Sequence, residues 1–377
     1  MTVLEKHTFG GQPITAHAWN GDRTRLALSL NSNQVFVYRR NGGGWTLEFT
    51  MKEHGLLVTG IDWAPESNRI VTCSADRNAY VWTEKPDGGW EPTLVLLRIN
   101  RAATCVRWSP NENKFAVGSG SRLISVCYFE DENNWWVSKH IKKPIRSTIT
   151  TLDWHPNNIL LAAGGSDFKV RVFSAYIRDI EPKPSATPWG SKMPLGQLMA
   201  EHAAGVGGGG WVHGVEFSED GNRLAWVAHD SSISVITADS SSNNVVACHR
   251  SDHLPYRCLK WLSADQLVAG GFDYRPVVFR LTAPDRLQLL GSLDMGQKRD
   301  VGGVSAMRKF QSLDKQSRSE QSDNIVNSVH QNNICGMSVY RGSRGAPQAV
   351  CTSSLDGQLV MWNVQSLPAQ LAKMEIR

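Results

Sequence analysis

No stretch of this sequence is apolar for more than a few residues, as in Leu94–Leu97. A membrane-spanning helix needs about 20 apolar residues, so no membrane insertion is expected. Met1–His7 holds no signal-peptide core, which predicts a chain that stays in the cytosol or nucleus. Charge is sparse too: 20% of the 377 residues are charged, with a net charge of +5. So mild a surplus, spread along the chain, does not call for nucleic acid. The 7 Cys include no Cys-x-x-Cys pair. Cys73, Cys105, Cys127, Cys258 and Cys351 lie in apolar or β-rich runs, which predicts buried free thiols rather than disulfides or zinc. There is no His-Glu-x-x-His, no Gly-x-x-x-x-Gly-Lys-Ser/Thr and no nucleophile elbow. Gly205–Gly210 is glycine-rich but precedes a strand, so it does not place phosphate on a helix terminus. No enzyme, cofactor or metal is expected.

What is abundant is tryptophan, 14 residues against 7 Tyr. Thr59-Gly-Ile-Asp-Trp63, Thr104-Cys-Val-Arg-Trp108 and Thr150-Thr-Leu-Asp-Trp154 are one motif, and Thr15-Ala-His-Ala-Trp19 precedes them. These four Trp follow one another at 44, 45 and 46 residues. Phe217, Trp261 and Val339 mark weaker copies. Trp45, Trp90 and Trp135 repeat every 45 residues in a second register, each after a turn signal. In a third register an Asp stands six residues before an aromatic: Asp76 and Trp82, Asp167 and Phe173, Asp273 and Phe279, Asp356 and Trp362. Asp230 keeps the Asp and loses the aromatic.

Between these marks lie short β-rich runs such as Arg69–Cys73 and Lys114–Gly118. About four strands per period of roughly 45 residues is the sequence signature of a β-propeller blade. Seven copies predict an all-β fold, with residues 1–377 forming a single seven-bladed propeller. The anchor aromatics should wedge between blades, and the Asp should cap a tight turn between second and third strands. In WD-repeat proteins, which these units resemble, that Asp joins a His, a Ser or Thr and the strand-end Trp. His54 and His330 stand nine residues before their anchors, so Asp76 with Trp82 and Asp356 with Trp362 should build the whole network. Asp167, Asp230 and Asp273 should build it only in part. The last blade lacks an outer strand, which the N-terminus near Leu4–Phe9 should supply.

The period breaks twice. Trp154 to Phe217 carries about 19 surplus residues, read as a long ordered loop insertion at 174–210. Trp261 to Val339 carries about 34, read as a projecting insertion at 295–329 between the sixth and seventh repeats. Within it a short amphipathic helix is expected at about 305–315. Ala306, Phe310 and Leu313 share one face with Met307 beside them, and Arg308 and Lys309 are cationic. So short a helix is marginal alone, so either the propeller or a partner groove covers it. A basic run, Lys139, Lys142, Lys143 and Arg146, reads either as a solvated inter-blade loop or as a contact for an acidic protein partner.

Lys139–Ser147, Leu152–Asn158, Phe173–Ile177, Pro188–Pro194, Gly210–Gly214 and Phe310–Lys315 strongly resemble the WD-repeat, forty-kilodalton subunit of the actin-related protein 2/3 complex. The resemblance spans both insertions. It implies a non-catalytic scaffold and regulatory subunit that supports actin filament nucleation and branching, in the cytoplasm at cortical actin. The partners it implies are actin-related protein 2, the twenty- and sixteen-kilodalton subunits, filament actin and nucleation-promoting factors. The insert's contact with filament actin or those factors falls, by motif match, around Arg308, Phe310 and Leu313. Gln316–Asn327 departs from the family pattern. The alternative is a generic WD-repeat adaptor or peptide-reading scaffold of another multiprotein complex, since repeats alone do not fix function.

Overall fold

Among the described residues the β-rich runs form 28 strands, which pair into seven four-stranded antiparallel sheets. The computed structural model describes residues 2–205, 209–238, 245–294 and 328–365. After β1 (Val3–Thr8), blade one is β2 (Ala16–Trp19), β3 (Arg25–Ser29), β4 (Val35–Asn41) and β5 (Gly44–Met51). Blade two is β6 (Val58–Trp63), β7 (Ile70–Ser74), β8 (Ala79–Glu84) and β9 (Trp90–Val95). Blade three is β10 (Ala103–Trp108), β11 (Lys114–Ser119), β12 (Ile124–Glu130) and β13 (Trp135–Ile141). Blade four is β14 (Ile149–Trp154), β15 (Leu160–Gly165), β16 (Lys169–Ser174) and β17 (Leu198–Ala203). Blade five is β18 (Val212–Phe217), β19 (Arg223–Ala228), β20 (Ser232–Thr237) and β21 (Val246–Arg250). Blade six is β22 (Tyr256–Trp261), β23 (Gln266–Gly271), β24 (Val277–Ala283) and β25 (Arg286–Ser292). Blade seven is β26 (Ile334–Ser343), β27 (Ala346–Ser354), β28 (Gln358–Asn363) and, as its outer strand, β1.

Each first strand packs against the first strand of the next blade, and β26 meets β2, so the fold is a closed seven-bladed propeller. The closure is the expected one: β1 lies antiparallel to β28, with Val3 opposite Trp362 and Thr8 opposite Gln358. Glu5 on β1 also takes Arg40 of blade one at 3.0 Å, tying the clasp to its neighbour.

Aromatics fill the seams between blades, and the anchors Trp19, Trp63, Trp108, Trp154, Phe217 and Trp261 are buried. The outer-strand series packs on the anchors: Trp45 lies 5.5 Å from Trp19, and Trp90 lies 5.5 Å from Trp63. The third blade differs. Trp136, not Trp135, packs on Trp108, at 5.8 Å, while Trp135 is exposed. Trp45 pairs with Arg40, Trp90 with Glu84 and Trp136 with Phe129, so one extra residue in the β12–β13 turn moves the inward slot by one.

Six inner strands carry a register shift at one place, around Thr59, Thr104, Thr150, His213, Arg257 and Cys335. Such bulges re-aim a side chain. Thr59 donates to Ala103 O at 2.9 Å and Thr104 to Ile149 O at 2.5 Å. Thr150 likewise donates to Val212 O and the Cys335 thiol to Ile14 O. Each acceptor stands just before the corresponding position of the next blade, so the inner ring is stitched blade to blade. His213 and Arg257 break this series.

Of residues 174–210, Leu198–Ala203 form β17, and residues 175–197 run as a loop from β16 to β17. Trp189 buries its ring and donates from Nε1 to Gly221 O at 2.8 Å. Lys114, fully buried on β11, donates to Glu181 of the loop at 2.5 Å and to Ala175 O at 2.9 Å. Burial lowers the Lys114 pKa to about 8, so the ammonium and the Glu181 carboxylate face each other at neutral pH. The helix expected at 305–315, with the rest of 295–327, lies outside the described residues.

Two stability predictions result. Deleting residues 1–10 removes all five β1–β28 residue pairings, each worth roughly 1 kcal/mol of hydrogen bonding, and opens the ring. Scanning calorimetry should find a clearly lower Tm; an unchanged Tm would contradict closure by β1. Glu181→Ala strands the Lys114 ammonium in the interior, at a cost of about 3–5 kcal/mol. Limited proteolysis should then cut within residues 175–197 in the variant before it cuts the parent there.

Candidate interaction face

Antiparallel pairing divides the connections between two faces. Every link from an outer strand to the next blade's inner strand lies on the same face as every turn between second and third strands. The basic run Lys142–Arg146, between β13 and β14, is on this face, and both ends of the second insertion leave from it, between β25 and β26. Asp294 and Val329 pin those two ends together, the carboxylate accepting the Val329 N–H at 2.6 Å. The loop of residues 175–197 lies on the opposite face, because it joins the third and fourth strands of blade four.

Beneath the first face sit the Asp turns. In blade two Trp82 Nε1 donates to the Thr72 hydroxyl at 3.0 Å, and that hydroxyl stands 2.8 Å from His54 Nε2. His54 Nδ1 donates to Asp76 at 3.0 Å. Because the carboxylate only accepts, Nδ1 carries the proton and Nε2 accepts from Thr72. Blade seven repeats the relay through Trp362, Thr352, His330 and Asp356, at 2.7, 2.7 and 3.2 Å. Burial works to raise the Asp76 pKa, but the Asn78 and Gly55 N–H groups and His54 outweigh it and hold the carboxyl below its usual range. Burial lowers the His54 pKa in the same network.

The other three Asp find different partners. Asp167 pairs with Arg171 at 2.8 Å, and Asp230 accepts the Ser232 hydroxyl at 2.5 Å. Asp273 accepts the Leu254 N–H at 2.9 Å, and His253 stands 3.6 Å away. His253 is eight rather than nine residues before its anchor, and Ala269 occupies the place of the relay threonine, so the relay is not built there.

The tip of each turn is more informative than its Asp. Arg77, Arg122, Phe168, Ser231 and Tyr274 follow Asp76, Ser121, Asp167, Asp230 and Asp273, and all five have φ between +58° and +75°. Only Asp356 is followed by glycine, Gly357. A left-handed backbone costs an ordinary residue roughly 1–2 kcal/mol relative to a right-handed one, so the turn itself does not select Arg, Phe or Tyr. Strain of this kind gathers where side chains have work to do. The residue after each turn Asp was visible in the sequence, but only the left-handed backbone makes it notable.

Arg77, Arg101, Arg122, Lys142, Lys143 and Arg146 are exposed on this face over blades two to four. Among the described residues none of the six has a carboxylate partner. Lys139 is different: its ammonium holds Asp179 at 2.6 Å and lies 5.1 Å from the Tyr128 ring centre. Leu56, Leu57, Leu96, Phe168, Trp211 and Leu254 add exposed apolar surface around the same face. The remaining expected contacts, Ala306, Met307, Arg308, Lys309, Phe310 and Leu313, lie outside the described residues.

Two kinds of comparison bear on this face. The family model described as WD domain, G-beta repeat matches residues 45–83 and 138–174. Over 373 residues the chain is 52% identical to actin-related protein 2/3 complex subunit 1A-B of Xenopus laevis, covering 99% of this chain and 100% of that protein. It is 45% identical over 372 residues to subunit 1 of the same complex in Schizosaccharomyces pombe, covering 94% of this chain and 97% of that protein. With subunit 1B of Arabidopsis thaliana it shares 36% over 384 residues, covering 98% and 99%.

The histidines yield a pH prediction. Burial lowers the His17 pKa to about 3 and the His213 pKa to about 4, and lowers that of His54. A histidine whose folded pKa lies below its unfolded value of about 6.5 binds fewer protons when folded. Unfolding then takes up protons, so stability declines as pH falls through about 6.5 toward those folded values. Asp76 and Asp356, held low, remove stability in the same direction once pH drops below about 4. Thermal melts should show Tm falling from pH 7 to pH 5, with a shallower slope in His17→Asn.

Proposed function

Because the chain belongs to the family of actin-related protein 2/3 complex subunit 1, we propose that it is a non-catalytic scaffold and regulatory subunit of that complex, supporting actin filament nucleation and branching. The observation that carries this reading is near-complete coverage of both chains at 52% identity, both insertions included. Propellers hold partners through their faces and loops while the blades stay fixed. One face here carries the roots of the second insertion, the unpaired cations and the strained turn tips. We assign partner contacts to that face.

Within the proposal, the insertion carries an amphipathic helix at about 305–315. Ala306, Phe310 and Leu313, with Met307 alongside, meet filament actin or a nucleation-promoting factor, and Arg308 and Lys309 steer the encounter. Lys142, Lys143 and Arg146 meet an acidic protein surface, while the Lys139 ammonium is already engaged by Asp179. Actin-related protein 2 and the twenty- and sixteen-kilodalton subunits are the neighbours within the complex, and the site of action is the cytoplasmic, cortical actin cytoskeleton.

The test uses the assembled complex. Phe310→Ala with Leu313→Ala should leave the propeller's melting transition unchanged while lowering the rate of branch formation several-fold. Should the double variant unfold the propeller instead, the segment packs on the core and the projecting-arm reading fails. Affinity capture of the tagged chain should recover two actin-related proteins in equal proportion; their absence favours an adaptor of some other assembly.

A further inference from the structure

Five of the turns between second and third strands carry an Asp, and in three of them the chain entering the blade donates to it. The Asp76 carboxylate accepts the Gly55 N–H at 2.9 Å, Asp273 the Leu254 N–H at 2.9 Å and Asp356 the Gln331 N–H at 2.7 Å. These donors lie in the links from the preceding blade, two or three residues before β6, β22 and β26. At Asp76 burial opposes ionisation, yet the link amide is among the groups that hold the carboxyl below its usual range.

Blade three has the donors and lacks the anion. Ser121 stands two residues past the end of β11, as Asp76 stands two past the end of β7. Its Oγ accepts two successive link amides, the Asn100 N–H at 3.1 Å and the Arg101 N–H at 2.9 Å. They stand three and two residues before β10, the places of the donors in the other blades. The Ser121 hydroxyl itself donates to Asn100 Oδ1 at 2.9 Å. Two amide dipoles are therefore aimed at a neutral oxygen, an arrangement suited to an anion. Arg101 and Arg122, beside it in the chain, are exposed and have no carboxylate partner among the described residues. Blade one provides the contrast. Ser32 occupies its corresponding turn, but that hydroxyl accepts the Gln34 N–H of its own turn at 3.2 Å, and no link amide reaches it among the described residues.

We propose that Ser121 is a phosphorylation site, with the two link amides as the seat of the phosphate. The Ser121 Oγ attacks the γ-phosphorus of ATP on a protein serine kinase. The bond from that phosphorus to the bridging oxygen breaks, ADP leaves, and the hydroxyl proton passes to the kinase's base. The product carries about −1.5 to −2 charge at neutral pH and three acceptor oxygens. Those oxygens take over the Asn100 and Arg101 N–H groups, as the turn carboxylates do in blades two, six and seven. Asn100 Oδ1 loses its donor, so its amide turns the Nδ2 group toward the phosphate. Arg101 and Arg122 add charge attraction. The regulatory consequence rests on the reading of this face as the partner surface: negative charge enters the cationic arc and weakens its pull on an acidic protein.

The test has two arms, both on the full chain. In the first, the chain is incubated with ATP and an extract of the cells that express it, and phosphate is located by mass spectrometry. Phosphate is expected on Ser121, lost in Ser121→Ala and retained there in Ser32→Ala. In the second, phosphoserine is encoded genetically at position 121 or 32. At 121 it should raise Tm by about 2 °C through new charge-assisted bonds, and at 32 it should give no rise. Binding of polyglutamate, the acidic probe, should weaken about three-fold with phosphoserine at 121. Ser121→Asp restores the carboxylate of the other blades and should melt no lower than the parent, which covers the case in which encoded phosphoserine impairs folding. Absence of phosphate from Ser121 in the first arm overturns the proposal, as does a Tm lowered by both phosphoserine and Asp at 121. A raised Tm with unchanged polyglutamate binding upholds the site and overturns the reading of the face.

Discussion

A propeller stands or falls on its last seam. Six blades are made from contiguous sequence, but the seventh obtains its outer strand from the other end of the chain. Without the pairing of β1 to β28, blade seven presents a bare edge, and the seam between blades seven and one loses Glu5 from its contact with Arg40. That clasp makes the ring a single cooperative unit rather than a row of repeats with two free ends. It also explains why the insertions are tolerated. Both occupy connections outside the hydrogen-bonded ladders, so neither interrupts the closed circuit of strands.

Within the circuit two kinds of repeat are held to different standards. Among the described residues the hydrogen-bond relay of His, Asp, Thr and Trp is intact only in blades two and seven. The other Asp turns use arginine, serine or a backbone amide, which satisfies the carboxylate equally well. The aromatic wedge is held more strictly. An anchor aromatic is buried in six blades, because no small substitute fills a seam that buries 150–250 Å² per ring. Packing between blades sustains the fold where the polar signature lapses.

This division governs what could be read from the chain. The period, the closing strand and the two intact relays were legible, since each rests on residues at fixed short spacing. The slot taken by Trp136 rather than Trp135 was not, because one turn residue shifts the inward face and two adjacent Trp offer either choice. Lys114 with Glu181, and Arg344 with Asp153, were out of reach for another reason. They join residues 67 and 191 positions apart, so only the closed fold brings them together. The exposed cations were legible as a basic run, but not as an arc over three blades, and Lys139 stands apart from that arc because Asp179 occupies its ammonium.

The two faces differ in what holds them. On the face of residues 175–197, the buried pair of Lys114 and Glu181 ties blade three to the loop of blade four, and Arg344 to Asp153 braces blade seven against blade four across the axis. The other face leaves Arg77, Arg101, Arg122, Lys142, Lys143 and Arg146 without a carboxylate partner among the described residues and places Arg77, Arg122, Phe168 and Tyr274 on left-handed turns that oppose them. Satisfying those cations internally would stabilise the fold a little, since exposed pairs contribute about 0–1 kcal/mol. Leaving them unpaired gives up little stability and keeps their field available to a partner. The braced face makes this arrangement sustainable, because a ring tied across its axis holds seven separate loops in one fixed array. A docking surface built from loops needs that fixity, or the entropy of ordering them on each encounter would cancel the attraction between the two surfaces.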